Sequence, residues 1–125
     1  MIHNRRKSPF RYVLKQPVSF EMQIMHINGQ IVDTKPVQAL LLDLSRSGCR
    51  ISLPLEIPAQ NNTVHVRIRM LLHEEPLLLE GRLQWNRTEG GRYHYGIHLD
   101  TTSYNRDHLL RELRLLASKN LIIIT

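Results

Sequence analysis

Three stretches in the second half of the chain alternate between apolar and polar residues, and short turns separate them. The apolar positions are Val64, Val66, Ile68 and Met70, then Leu77, Leu79, Leu83 and Trp85, then Tyr93, Tyr95, Ile97 and Leu99. A period of two puts every second side chain on the same face, which is typical of a β-strand with one buried face. Turns at residues 73–76 and 89–91 join the three stretches. The pattern therefore predicts an antiparallel meander in a small barrel or sandwich.

The first half of the chain predicts further strands. Residues 18–24 alternate in the same way, and the Asn28-Gly29 pair that follows is typical of a tight turn. Residues 37–42 are almost all apolar, so we expect Val37–Leu42 to be buried on both faces and to be the most buried strand. A shorter alternating run follows at Cys49–Leu53. Two prolines then limit further pairing, which predicts a loop over residues 54–62.

The hydrophobic period changes only near the C-terminus. The apolar residues there are Leu109, Leu110, Leu113, Leu116 and Ala117. This spacing places them on one face of a helix, and it predicts one amphipathic helix over roughly Asn105–Ser118 that closes a mouth or edge of the barrel. After the helix, Leu121–Ile124 is a short apolar tail. We expect this tail to be either an added edge strand or part of a homodimer contact through the C-terminal helix or tail.

The segment between the runs 37–42 and 49–53 contains several polar residues close together. Asp43–Gly48 sets a carboxylate, a hydroxyl and a glycine at offsets 0, 2 and 5. Asp43 and Ser45 can turn their oxygens toward one point, while Gly48 tolerates positive φ or lets a backbone or ligand approach closely. Taken alone, the segment is better explained as a turn that only ends a strand.

A second polar cluster lies near the N-terminus, where four cations occupy positions 5, 6, 7 and 11 around Pro9. The whole chain carries a net charge of +6 and has a pI near 10.0, which favours an anionic partner. A basic run of this kind is most often a solvated tail. Because any anionic partner fits the net charge, charge alone does not distinguish a nucleotide from a nucleic acid or an acidic protein.

Together the two clusters resemble the PilZ domain family, whose members carry an RxxxR motif, often RRxxxR, and a [DN]xSxxG motif some thirty residues later. Asp43, Ser45 and Gly48 match every fixed position of the second motif. Arg6 and Arg11 match the outer cations of the first motif, and Lys7 stands where RxxxR begins. The resemblance covers roughly residues 5–99.

The resemblance implies a mainly β fold, namely a small antiparallel six-stranded β-barrel of the PilZ-like split-barrel type with one C-terminal α-helix. We accordingly expect three parts in a single-domain chain of 125 residues. A flexible basic arm occupies residues 1–16, the barrel occupies residues 17–100, and the helix with its apolar tail occupies residues 101–125.

The resemblance also implies a ligand, because the family binds the bacterial second messenger cyclic di-GMP between the two motifs. The candidate ligand-binding residues are Arg6, Lys7, Arg11, Asp43, Ser45 and Gly48. The cations would contact phosphates and guanine from the arm, and the second motif would hold a base at the barrel rim. Binding would clamp the arm onto the barrel and present an altered surface to an effector protein.

Other functions stay open on the sequence alone. The first alternative is a PilZ-like barrel that has lost ligand binding and acts as a protein–protein interaction adaptor, because the point charge of Lys7 does not reproduce the two-pronged contact of an arginine. Binding of single-stranded RNA is a weaker candidate, because exposed aromatic residues are scarce on the alternating positions.

The sequence does not favour catalysis, a metal or another cofactor. It contains no Gly-rich phosphate loop, nucleophile elbow or paired carboxylates. On a strand, His94 and His98 would be about 13 Å apart at ~3.3 Å per residue, which is too far to share an ion. No apolar stretch is long enough to span a bilayer, and no hydrophobic leader follows Met1. With Cys49 as the lone cysteine, we expect a cytoplasmic protein.

Overall fold

The alternating runs form antiparallel strands in the computed structural model, which describes residues 11–45, 47–59, 61–100 and 103–124. The elements in chain order are β1 (Tyr12–Ile27), β2 (Gln30–Ile31), β3 (Val37–Leu44), β4 (Gly48–Leu53), β5 (Val64–Leu71), β6 (Pro76–Glu89), β7 (Arg92–Asp100), α1 (Ser103–Ser118) and β8 (Ile122–Ile124). The three alternating stretches of the second half are therefore β5, β6 and β7, as the pattern predicts.

The sheet closes on itself. Its neighbours follow the order β1–β3–β4–β7–β6–β5, and β5 returns to pair with β1. Each of these pairs is antiparallel, while β2 and β8 pair with β1 outside the ring. Within the described residues, the fold is thus a closed six-stranded antiparallel barrel with a single C-terminal helix, which confirms the predicted fold class.

The inward side chains of the strands form one continuous core. The largest fully buried residues include Met22, Leu41, Ile51, Ile68, Leu79, Tyr95 and Ile97. Tyr95 also holds the loop after β4, because its hydroxyl accepts a hydrogen bond from the Ile57 N–H and donates one to the Ile57 carbonyl. Burial raises the pKa of Tyr95, so this hydroxyl keeps its proton at neutral pH.

Strand β3 is less buried than its apolar sequence predicts. Ala39 and Leu41 point into the core, but Leu40 and Leu42 are half-buried because they lie on the outer side of the barrel. The prediction that this strand is buried on both faces is therefore wrong. The strand continues to Leu44, so Asp43 lies within it, and its pairing with β4 shifts register between Leu41 and Asp43.

Strand β1 begins at Tyr12, before the alternation that starts after Pro17. Residues 12–16 therefore belong to the sheet and not to the arm, and the expectation for this segment is wrong. The pairing of β1 with β3 breaks between Val13 and Val18. Pro17 lies in this break, where a residue without an N–H costs no ladder hydrogen bond. Because the break interrupts the period of two, the periodicity hides the first part of the strand.

The apolar tail is an edge strand. Residues Ile122–Ile124 of β8 pair with Tyr12–Leu14 of β1, and Ile122 is buried against the core while Ile123 and Ile124 stay exposed. This confirms one of the two expectations for the tail, and the homodimer contact stays a prediction. β8 therefore extends the sheet next to the start of β1.

Helix α1 begins at Ser103, two residues before the predicted start, and ends at Ser118 as predicted. It contacts β6 and β8 and buries Leu109, Leu113 and Leu116. No helix in the described part of the chain is long and apolar enough to cross a membrane.

A buried carboxylate fastens the helix to the turn between β5 and β6. Glu112 is 1% exposed, and its Oε1 accepts backbone N–H bonds from residues 73, 74 and 75 at 3.1, 3.0 and 3.3 Å. Charge-assisted bonds of this kind are among the strong hydrogen bonds of a protein.

Replacing this carboxylate should destabilise the protein. We expect Glu112→Ala to lower the free energy of unfolding by about 3 kcal/mol, because three backbone N–H groups lose a charged acceptor that ties the turn to the helix. Urea unfolding followed by circular dichroism measures the change. Arg114→Ala, on the exposed side of the same helix, is the control and should change stability by less than about 0.5 kcal/mol. Equal effects of the two substitutions would contradict the role of Glu112.

Candidate functional site

The hairpin between β3 and β4 builds the candidate site. Ser45 closes the turn through its backbone N–H, which donates to the Gly48 carbonyl at 2.8 Å, and its Oγ donates to the same carbonyl at 3.3 Å. The pairing that follows from this turn sets Leu44 opposite Cys49 and Asp43 opposite Arg50. The motif serine therefore has a structural role in the described turn.

Asp43 is a buried carboxylate between two arginines. Its side chain is 4% exposed. Arg11 Nη1 donates a hydrogen bond to Asp43 Oδ1 at 2.8 Å, and Arg50 Nε lies 2.9 Å from Asp43 Oδ2. The Arg11 contact is an aligned hydrogen bond, whereas the Arg50 contact is an ion pair whose N–H does not point at the oxygen. Each carboxylate oxygen thus has its own cation, which offsets the cost of burying the charge.

Gly48 allows a close approach between strands. A Cβ at this position would lie 2.6 Å from the carbonyl oxygen of Ile97 in β7, and Gly48 pairs directly with His98. The glycines with positive φ among the described residues are Gly29, Gly90 and Gly91, so Gly48 is not needed for its backbone conformation. Of the two roles expected for this glycine, the structure assigns the close approach.

Cys49 lies on the core side of the same hairpin. Burial raises the pKa of its thiol from 9.0 to about 12, the Asp43 carboxylate adds to the rise, and Arg11 opposes it. The group is therefore a neutral thiol at physiological pH. A protonated, buried thiol cannot serve as a nucleophile.

The structure brings together four of the six residues singled out from the sequence. Arg11 contacts Asp43, and Ser45 and Gly48 form the turn beside it. Arg6 and Lys7 lie outside the described residues.

Sequence reasoning missed Arg50. A signal for it exists, because a hairpin closed by Ser45 and Gly48 places residue 50 directly opposite residue 43. Opposite charges at facing positions of an antiparallel pair attract each other across the strands. Arg50 belongs to neither motif, so motif positions alone do not indicate it.

A groove of about 700 Å³ lies elsewhere, on the outer face of β1, β5 and β6. Its charged and polar lining includes Glu21, Gln23, Arg67, Arg69, Glu80 and Asp100. The acidic residues balance the arginines there, and Arg67 lies 3.6 Å from Glu80. The groove therefore lacks the excess of positive charge that an anionic ligand requires. No group of three or more metal-ligating side chains is present among the described residues.

The fold and site define a class of protein, a small closed barrel in which an arginine just before the first strand contacts a polar hairpin. A family model described as PilZ domain matches residues 4–115. The chain belongs to the PilZ domain family, as the two sequence motifs imply. No curated protein matches the sequence at a significant level.

Two solved structures are similar to this barrel. One is the Bacillus subtilis inhibitor of motility, MotI/DgrA, with a TM-score of 0.61 and 13% identity; the match covers 94% of this chain and 53% of that one. The chain thus spans about half the length of that protein. The other is the PilZ domain of CeSA from a cellulose-synthesising bacterium, with a TM-score of 0.56 and 22% identity over 86% of this chain and 97% of the other. At these identities the likeness concerns the fold.

The close approach at Gly48 makes a direct prediction. Gly48→Ala should lower the free energy of unfolding by about 2 kcal/mol, because the new methyl group would push the carbonyl of Ile97 away and loosen the pairing of β4 with β7. Thermal unfolding measures the loss. Gly29→Asn is the comparison, because a new side chain there meets open space and only the φ of 82° opposes it, which asparagine adopts more readily than other non-glycine residues. Its loss of stability should be smaller than that of Gly48→Ala. A Gly48→Ala protein as stable as the wild type would contradict the steric role.

Proposed function

We propose that this protein is a cyclic di-GMP receptor of the bacterial cytoplasm that acts on a partner protein. One observation carries the proposal: the hydrogen bond of 2.8 Å between Arg11 and Asp43. Arg11 is the last residue of the RxxxR-like segment, and Asp43 is the first residue of the DxSxxG segment. Two residues that lie 32 positions apart, one from each segment, are thus in direct contact.

The residues at this point suit both parts of a cyclic guanine dinucleotide. A guanidinium group binds phosphate oxygens, or O6 and N7 of guanine, with two parallel hydrogen bonds. A carboxylate accepts hydrogen bonds from the N–H donors of guanine. The half-exposed side chain of Arg11 can reach a ligand at the surface, and Asp43 stays at a defined position within β3. Arg6 and Lys7 supply further positive charge for the two phosphodiesters in this proposal.

The position of Arg11 also supports a mechanism. Arg11 directly precedes the first residue of β1. Tyr12 and Val13 of that strand pair with β3 on one side, and Tyr12–Leu14 pair with β8 on the other. A ligand that draws the basic arm over the barrel therefore acts at the start of a strand shared by the site and the sheet edge. The surface that a partner meets then differs between the free and the bound protein. This role is that of a receptor and adaptor, and it requires no catalytic group.

The proposal predicts direct binding. Isothermal titration calorimetry should give a Kd for cyclic di-GMP in the micromolar range or tighter, which corresponds to about −8 kcal/mol or better. Asp43→Asn and Arg11→Ala should each weaken binding at least about tenfold, since each removes one charged contact. Arg114→Ala, which removes an exposed arginine on α1, is the charge-matched control and should bind like the wild type.

A second nucleotide tests the assignment of the base. Cyclic di-AMP has the same phosphodiester ring, but adenine lacks the N1–H and amino donor pair that guanine presents to a carboxylate. It should bind much more weakly than cyclic di-GMP. The absence of binding by folded wild-type protein at high micromolar cyclic di-GMP would reject the receptor in favour of the protein–protein adaptor.

The lysine in the first motif provides an independent prediction. If Lys7 occupies the first cation position of RxxxR, Lys7→Arg should tighten cyclic di-GMP binding by about 1 kcal/mol, or roughly fivefold, because a fork of donors replaces a point charge. Calorimetry measures the gain, and Lys119→Arg at the other end of the chain is the control. A neutral Lys7→Arg together with loss of binding in Arg6→Ala would assign that position to Arg6.

A further inference from the structure

Asp43 has two counter-ions that differ in how their backbones are held. Arg50 lies within β4, which pairs with β3 on one side and with β7 on the other. Arg11 instead precedes the first residue of β1 and lies outside any strand. The side chains differ little in exposure, at 35% for Arg50 and 44% for Arg11. The two arginines therefore differ mainly in whether strand pairing holds their backbone in place.

The two contacts also differ in hydrogen-bond alignment, and here the advantage lies with Arg11 and not with Arg50. Arg11 makes the aligned hydrogen bond, while Arg50 makes a close ion pair with poorer alignment. Arg11 therefore makes the better-aligned bond, but it does so from a residue that no strand holds in place. If Arg11 leaves, the carboxylate of Asp43 is free to turn toward the Nε–H of Arg50. The buried charge keeps a partner throughout, which avoids the large cost of an unpaired ion in the interior.

We propose that Arg50, which belongs to neither motif, is the permanent counter-ion and the positioning residue of Asp43, and that Arg11 is the exchangeable counter-ion released to the ligand. This inference rests on the proposed function, since the exchange is driven by cyclic di-GMP. The phosphates of the ligand compete with Asp43 for the Arg11 guanidinium. Asp43 then offers guanine the oxygen that Arg11 has vacated.

In this arrangement the free protein blocks part of its own ligand site. The oxygen that guanine needs is occupied by Arg11 until the ligand takes that arginine away. Arg50 does not block the same oxygen, because it lies against Oδ2 and not Oδ1. The ligand therefore binds in the same step in which Asp43 releases Arg11. Arg50 holds the carboxylate before and after this step.

The free protein provides the first test, in which ligand plays no part. Two double-mutant cycles pair Asp43→Asn with Arg50→Ala and with Arg11→Ala, and thermal unfolding measures the coupling in each. We expect a coupling of about 3 °C or more in melting temperature for Asp43 with Arg50, and under about 1.5 °C for Asp43 with Arg11. The reason is that strand pairing already fixes the backbone of Arg50, whereas the contact of Arg11 must also offset the entropy of ordering a residue outside the strands. Arg69→Ala, on the strand across the ring from β4, should show no coupling to Asp43→Asn.

The second test measures cyclic di-GMP binding by calorimetry. Arg50→Ala should weaken binding at least about tenfold, and Arg50→Lys should recover most of the loss because it restores the charge. In the Asp43→Asn background, Arg50→Ala should weaken binding by less than about threefold, because Arg50 acts through Asp43. Arg69→Ala should leave the affinity unchanged. Circular dichroism confirms that each variant is folded.

The outcomes separate the two proposals. A larger coupling of Asp43 to Arg11 than to Arg50 overturns the assignment of the permanent counter-ion, whether or not ligand binds. An equal loss of affinity for Arg50→Ala in both backgrounds overturns the positioning role, since Arg50 would then contact the ligand directly. Wild-type protein that binds no cyclic di-GMP rejects the receptor and the exchange, and the unfolding cycles still decide which arginine holds Asp43.

Discussion

The barrel depends on the pairing of β1 with two other strands of the ring. This strand is 16 residues long, and it lies against β3 over its first part and against β5 over its last part. Because β1 is long enough to pair with both strands, it closes the meander into a ring. Without this pairing, β5 would be an exposed edge strand. The same strand sets Arg11 beside the hairpin of β3 and β4. Closure of the fold and assembly of the site are thus consequences of one element.

The site itself is governed by the cost of a buried carboxylate. Asp43 is held within a strand and withdrawn from solvent, so its charge must be matched by cations nearby. One of these cations comes from the rigid sheet and the other from the border of the basic arm. A ligand that carries both phosphates and a guanine base can exchange with the second without leaving the charge unpaired. The proposed receptor mechanism therefore uses ion pairs that the free protein already contains.

Much of the architecture could be predicted from the sequence because its determinants are local. The period of two identified β5, β6 and β7, and the period of a helix face identified α1 to within two residues of its start. The DxSxxG segment was recognised from three fixed positions. Residues 12–16 were missed, since a break in pairing beside Pro17 interrupts the alternation on which strand prediction depends.

By itself, the sequence determined the strands with an intact alternation, the C-terminal helix, and the residues of the two motifs. Only the tertiary structure decided that β5 returns to β1, that Leu40 and Leu42 face outward, that Gly48 accommodates the carbonyl of Ile97, and that Arg50 shares Asp43 with Arg11. The physical reason is that periodicity and motif spacing are properties of neighbours along the chain. The counter-ion of a buried charge, and the group that lies against a glycine, are instead set by the register between paired strands.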